Sequence, residues 1–236
     1  MYGFKARIGL IIPSVNTTIE PEFNTMKPKG VSVHVTRLLY RPGSFLAGLE
    51  RMAQGTEEAA VLLATAGVNV IAYACTIGSL VKGVGWDQEL INRIEVTSGI
   101  PATTTTTAVV QAFRALGVSK VAIATPYSKE LNEAEREFFE DHGIKVVRIK
   151  GLGMTSEDMH QASPEMTYAL ACEVDTPEAD AVFISCTNFK SVTVIDKLEK
   201  RLHKLVFSSN TATMWNVMKR LGISEQVKGH GKLFEH

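Results

Sequence analysis

The sequence predicts an α/β fold of two similar lobes. Each is a parallel sheet flanked by helices, a pseudo-two-fold relates them, and the active site lies in the cleft between. Three observations predict this. Apolar, β-rich stretches alternate with stretches of helical spacing along all 236 residues, the pattern of parallel strands joined by helical crossovers. The order of elements in the first half returns in the second. Landmarks recur at a near-constant offset: Pro13 and Pro126 are 113 residues apart, and Cys75-Thr76 and Cys186-Thr187 are 111 apart. Arg114-Ala115-Leu116-Gly117-Val118 and Arg220-Leu221-Gly222-Ile223 lie about 105 apart.

The elements follow in order. Ala6–Ile12 is an apolar strand that runs into the polar loop Pro13-Ser14-Val15-Asn16, and Val31–Tyr40 is the next strand. Phe45–Ala66 has helical spacing through Leu46, Leu49, Met52, Ala59, Leu62 and Leu63. Val68–Ala74 is a buried strand, and Trp86–Thr97 and Thr105–Leu116 are helices, the latter stopped by Gly117. In the second half, Lys120–Thr125, Lys145–Ile149, Ala181–Ser185 and Leu205–Ser208 read as strands. Glu130–Asp141, Pro164–Val174, Val192–His203 and Thr211–Leu221 read as helices. The first lobe is expected over 1–115, with 205–236 able to contribute to it, and the second over 116–204.

Composition narrows the functional classes. Apolar residues make up 45% of the chain, ample for a packed core, and 25 Lys+Arg balance 25 Asp+Glu. No basic patch or charge run points to nucleic acid, and no apolar stretch is long enough to span a bilayer. Three cysteines form no disulfide framework; a reducing cytoplasm is the expected compartment. A homo-oligomer is left open.

Two of those cysteines carry the functional signal. Each closes an apolar strand and is followed by Thr: Val70-Ile71-Ala72-Tyr73-Ala74-Cys75-Thr76 and Val182-Phe183-Ile184-Ser185-Cys186-Thr187. The carboxyl ends of parallel strands are where an α/β sheet opens its ligand crevice. A cysteine there is either a small buried hydrophobe or a nucleophile or base. The turns that follow, Thr76-Ile77-Gly78-Ser79 and Thr187-Asn188, offer N–H groups and hydroxyls that can hold a carboxylate and acidify a thiol. Asn16 or Thr17 either caps a helix or grips substrate, with Ser14 beside it. Tyr127, after Pro126, either covers the core or donates to a carboxylate. Thr103–Thr107 and Ser208-Ser209-Asn210-Thr211 read first as helix caps. Cys172 falls inside a helix and reads as core. The six histidines show no metal-ligand spacing, and there is no phosphate-binding glycine fingerprint. Neither metal nor organic cofactor is expected. Two inert thiols in a small-molecule binding protein would be the non-enzymatic alternative.

With these residues in view, the whole chain resembles the Asp/Glu racemase superfamily, and within it the branch of maleate cis-trans isomerase and arylmalonate decarboxylase. Pro13-Ser14-Val15-Asn16-Thr17-Thr18-Ile19-Glu20-Pro21-Glu22, Cys186-Thr187-Asn188, Val194-Ile195-Asp196-Lys197-Leu198-Glu199 and Ser208-Ser209-Asn210-Thr211-Ala212-Thr213-Met214-Trp215 look like the isomerase. Arg114-Ala115-Leu116-Gly117-Val118 and Gly229-His230-Gly231-Lys232-Leu233-Phe234 look more like the decarboxylase, as does 151–158, which lacks the Asn usual in isomerases. The resemblance implies a cofactor-independent isomerase acting on a small cis-dicarboxylate, maleate to fumarate. Cys75 would attack the alkene and Cys186 would supply a proton. Asn16 and Tyr127 would bind the carboxylates, with Ser14, Thr76, Thr187 and Asn188 completing the substrate site. The alternative it implies is a decarboxylase of arylmalonate type, or an amino-acid or dicarboxylate racemase, with one or two cysteines as acid and base. The decarboxylase has Gly in place of the first cysteine, which Cys75 departs from.

Overall fold

Alternation of buried Val, Ile and Ala runs with amphipathic helices produces two four-stranded, all-parallel sheets in the computed structural model, which describes residues 2–40, 45–156 and 158–236. In the first sheet, β1 (Ala6–Pro13), β2 (Val31–Leu38), β3 (Val70–Tyr73) and β4 (Ala102–Thr104) lie in the order β2-β1-β3-β4. In the second, β5 (Lys120–Thr125), β6 (Lys145–Gly151), β7 (Ala181–Ile184) and β8 (Leu205–Ser208) lie in the order β6-β5-β7-β8. The two orders are the same, as a duplication requires. In each lobe the chain changes direction across the sheet between its first and third strands, at Ile8↔Val70 and Val121↔Ala181. That switch point opens a crevice beyond the strand ends, and both cysteines leave the sheet there.

The helices are α1 (Ile19–Met26), α2 (Phe45–Gln54), α3 (Thr56–Thr65), α4 (Thr76–Leu80), α5 (Trp86–Ser98) and α6 (Thr105–Ala115) in the first half. The second half contributes α7 (Lys129–Asp141), α8 (Pro164–Val174), α9 (Ile195–Leu202) and α10 (Ser209–Arg220). Side-chain caps set several starts: Ser128 accepts from Leu131 N–H, Ser163 from Met166 N–H, and Ser208 forms a reciprocal capping box with Thr211. Thr104 accepts from Thr107 N–H, so the threonine run does cap its helix.

The lobes exchange their last helices. Phe113 of α6 packs edge-on against Phe139, Phe183 and Phe207 of the second lobe, with ring centroids 5.1–5.7 Å apart. Met214, Val217 and Met218 of α10 pack in the core beneath β1 with Ile8, Leu10 and Ile12. Strand β8 pairs with β7 in the second sheet, so the segment 205–236 is shared between the lobes.

Several elements differ from expectation. The single helix predicted over Phe45–Ala66 is two, broken at Gly55, where Thr56 Oγ1 donates back to Ala53 O (2.8 Å). The side chain of Leu46 falls outside the described residues. The helix predicted from Val192 starts at Ile195, because Ser191 and Val192 donate their N–H groups to Glu22 Oε1 of the opposite lobe (2.7 and 3.0 Å). Strand β2 ends at Leu38 because Tyr40 N–H turns to Ser14 Oγ (3.0 Å). Helices α1 and α4 and the three-residue strand β4 are additions.

Candidate active site

The first thiol is carried by an extended residue. Cys75 (φ −146°, ψ 112°) is the N-cap of α4, and Ser79 ties that turn by donating both N–H (3.0 Å) and Oγ (2.8 Å) to Cys75 O. The next turn comes very close to the sulfur: a Cβ on Gly78 would lie 2.9 Å from Cys75 Sγ. Only glycine lets the backbone approach this way, and the Gly78 N–H bonds the thiol.

The second thiol sits on a different backbone. Cys186 has φ +93°, a left-handed conformation rare outside glycine. Neighbours hold it there. Ser185 N–H donates to Ala124 O (2.9 Å), Cys186 N–H donates to Ser209 Oγ (3.1 Å), and Asn188 N–H donates to Cys186 Sγ (3.3 Å). Tyr127 hydrogen-bonds the sulfur through its hydroxyl, and Met159 Sδ lies 3.9 Å away.

Both thiols line one small cavity, about 50 Å³, between the lobes. Cys75 is 9% exposed and Cys186 7%. Asn16, Thr76, Tyr127, Thr187 and Asn188 line it with them, so of the eight residues assigned to the site on the resemblance the structure brings together seven. The exception is Ser14, which is absent from the wall and accepts from Tyr40 N–H instead. Cys172 is half-buried and lies outside the cavity. The Thr103–Thr107 hydroxyls also stay outside it, bonding Ser79, Asp87 and Thr213.

Most polar atoms of the wall bind one another. Asn16 Oδ1 accepts from the N–H groups of Thr18 and Ile19 (3.0 Å each), in the turn that leads into α1, while its Nδ2 donates to Thr187 Oγ1 (2.9 Å). Thr187 Oγ1 in turn donates to Ala74 O (3.2 Å), and Thr76 Oγ1 pairs with Ser209 Oγ (2.9 Å). Asn188 Oδ1 accepts from Thr17 N–H (3.0 Å). The N-cap of α1 is Thr18, so Asn16 closes the turn before the helix and is not its cap; it still lines the cavity, since its amide nitrogen has a second hydrogen. What is left to meet a carboxylate is that hydrogen and backbone N–H groups of the two cysteine turns; the Tyr127 hydroxyl would have to leave Cys186 Sγ to join them.

Burial controls the thiols. It pushes Cys75 up to about 12, against a lowering bond from Gly78 N–H. It pushes Cys186 up to about 11, against bonds from Tyr127 and Asn188, while Glu135 and Glu22 raise it further. Buried in this way, both sulfurs carry their protons. Among the described residues no group of three or more His, Cys, Asp or Glu could hold a metal ion, and no helix is long and apolar enough to cross a membrane.

Sequence reasoning missed Met159, Ser156, Tyr40 and Ser209. The first three line the cavity from loops and the α2 approach, with no motif to mark them. Ser209 was read as part of a cap, yet its hydroxyl joins the Cys186 turn to Thr76, next to Cys75.

A duplicated α/β fold that brings one thiol from each lobe into a shared, narrow cavity defines a two-cysteine enzyme class. Within it, this chain belongs to the arylmalonate decarboxylase family, whose pattern matches residues 8–234. A maleate isomerase of Nocardia farcinica is 29% identical over 238 residues, covering 96% of this chain and 94% of the relative. The solved maleate isomerase Iso of Pseudomonas putida S16, a cysteine-to-alanine variant with maleate, superposes with a TM-score of 0.92 at 26% identity over 97% of both chains. A cysteine-to-serine variant of the Nocardia farcinica isomerase, holding a covalently bound succinylcysteine intermediate, superposes at 0.89 with 26% identity over 97% of this chain and 98% of that one.

Proposed function

We propose that the protein isomerises maleate to fumarate through a covalent adduct on Cys75, with Cys186 as proton donor and acceptor. The observation that carries this reading is the pairing of Cys75 and Cys186 across one cavity. A relative in which succinylcysteine has been seen supports it.

The chemistry balances with these groups alone. The Cys75 thiolate adds to one alkene carbon, and the electron pair of the double bond moves into the neighbouring carboxylate as an enediolate. Cys186 donates its proton to the second carbon, leaving a succinyl thioether with a single C–C bond. Rotation about that bond is now permitted. Cys186 then removes a proton from the same carbon, the C–S bond breaks, and fumarate leaves with the Cys75 thiolate restored. Asn16 and Tyr127 line the cavity, and their Nδ2 and hydroxyl groups would stabilise the enediolate. Because the cavity holds only a few waters' volume, substrate binding must part the walls formed by Tyr40, Leu49 and Met159. Opening hydrates the thiols and relieves the burial that keeps Cys75 protonated. The reaction uses no metal or organic cofactor, a small dicarboxylate is the partner, and the site of action is the cytoplasm.

The apolar wall of Val15, Leu49, Ile77 and Met159 favours one second reading, decarboxylation of an α-substituted malonate, in which Cys186 alone protonates the enediolate left by CO₂ loss. The assay separates them. Fumarate is followed by absorbance on maleate with wild type, Cys75→Ala and Cys186→Ala, beside phenylmalonate. Fumarate from wild type alone supports the isomerase. Phenylmalonate turnover that survives Cys75→Ala replaces it with the decarboxylase.

A further inference from the structure

The steps above leave Glu135, a fully buried acid, unused. Glu135 lies on the core-facing stripe of α7 with Leu131 and Phe139, fully buried, at a position where the spacing calls for an apolar side chain. Its Oε1 accepts from Ser185 Oγ (2.5 Å), and Ser185 is the residue before Cys186. Its Oε2 is buried with no hydrogen-bond partner among the described residues. A carboxylate in that position is costly, and a carboxylic acid much less so.

The duplication sharpens the contrast. Glu22 of α1 lies 113 residues before Glu135, the same offset that relates Pro13 to Pro126. Glu22 accepts three donors, from Ser191 N–H, Val192 N–H and Asn210 Nδ2. Glu135 has one. Both carboxyls act electrostatically on Cys186, whereas neither is among the groups that shift Cys75. The equivalent acids of the two lobes are thus used differently: Glu22 clamps the lobes, and Glu135 stands behind the second thiol.

We propose that Glu135 is a positioning residue for Cys186: through Ser185 it fixes the strained turn that carries the thiol, and only when it ionises does its charge oppose loss of the Cys186 proton. This rests on the reading of Cys186 as proton donor. Burial pushes Glu135 up to about 8, opposed by the Ser185 bond. Above that pH its charge faces Cys186 and Tyr127, both of which it raises. Of the elements packed on α7, α4 carries no charged side chain. Strand β6 brings Lys145, Arg148 and Lys150, the last paired with Glu173. On α7 itself Arg136 is engaged by Glu133, Glu140 and Val146 O.

The test is the pH dependence of Cys186 alkylation by iodoacetamide, read by peptide mass spectrometry in wild type and Glu135→Gln. The amide keeps the shape and removes the charge. Its thiol should ionise at lower pH, giving about threefold or faster labelling at pH 9 for a half-unit change. An unchanged profile overturns the proposal. If Glu135→Gln does not fold, ¹³C-NMR titration of the glutamate carboxyls serves instead. Wild type should show one carboxyl titrating near pH 8 that moves up in Ser185→Ala and returns in Ser185→Thr. No such carboxyl, or one indifferent to residue 185, overturns it. Neither readout needs turnover, so a failure of maleate isomerisation is seen separately in the fumarate assay.

Discussion

Cys75 and Cys186 share a local sequence and differ in backbone. The first is extended at a helix N-cap, the second left-handed at φ +93°. The difference fits their proposed roles: an adduct-forming sulfur needs an open approach, and a proton donor needs a fixed direction. The approach at Cys75 depends on Gly78, whose added Cβ would sit 2.9 Å from the sulfur. Gly78→Ala should therefore push the thiol off its position and lower kcat roughly tenfold to a hundredfold, as small misplacements of reacting groups do. Wild-type kcat in that variant would show that the close approach has no catalytic weight. At this scale the sequence marked the two cysteines, Asn16 and Tyr127, because each follows a strand end. It misplaced Ser14, whose hydroxyl is taken by Tyr40 N–H. It could not show Met159, which reaches Cys186 only by tertiary folding across 27 residues of chain.

Among the elements, the join between α10 and the two cysteine turns matters most for the site. Ser209 is the first residue of α10, accepts from Cys186 N–H and pairs with Thr76. Ser209→Ala leaves a buried N–H unpaired in a turn already held in a rare conformation. A stability loss of ~1–3 kcal/mol is expected by denaturant unfolding, together with a kcat loss larger than the KM change. A loss of stability with unaltered kcat would make Ser209 structural only. Helices with caps and strands of four or more buried residues were legible in the sequence. The break at Gly55 was not, because Ala59, Leu62 and Leu63 continue the helical spacing of Leu49 and Met52 on its far side. Nor was the delayed start of α9, which is set by a carboxylate from the other lobe. The three residues of β4 are too few to display a period.

At the scale of the molecule, the duplication was readable from recurring landmarks and 205–236 was expected to be able to reach the first lobe, while the crossing of α6 to the second was not readable, since amphipathic spacing does not say which sheet a helix covers. That exchange ties the lobes together. The core also holds an ionisable group, with a consequence for stability. Glu135 is raised from 4.5 to about 8 on folding, so the native state binds its proton more tightly than the unfolded chain. Its contribution is fully present below pH 4.5 and is lost as pH rises through about 8. Chemical unfolding between pH 6 and 9 should show wild type losing stability with rising pH and Glu135→Gln losing less. Equal slopes would mean that Glu135 ionises normally.

The central claim is that Cys75 bonds to carbon while Cys186 moves a proton, and trapping tests it most directly. Cys186→Ser, incubated with maleate and examined by intact-protein and peptide mass spectrometry, should carry one added maleic acid on Cys75, and Cys75→Ala should carry none. Fumarate formation at the wild-type rate by Cys186→Ser, or by Cys75→Ala, or an adduct on Cys186 in place of Cys75, would contradict the account.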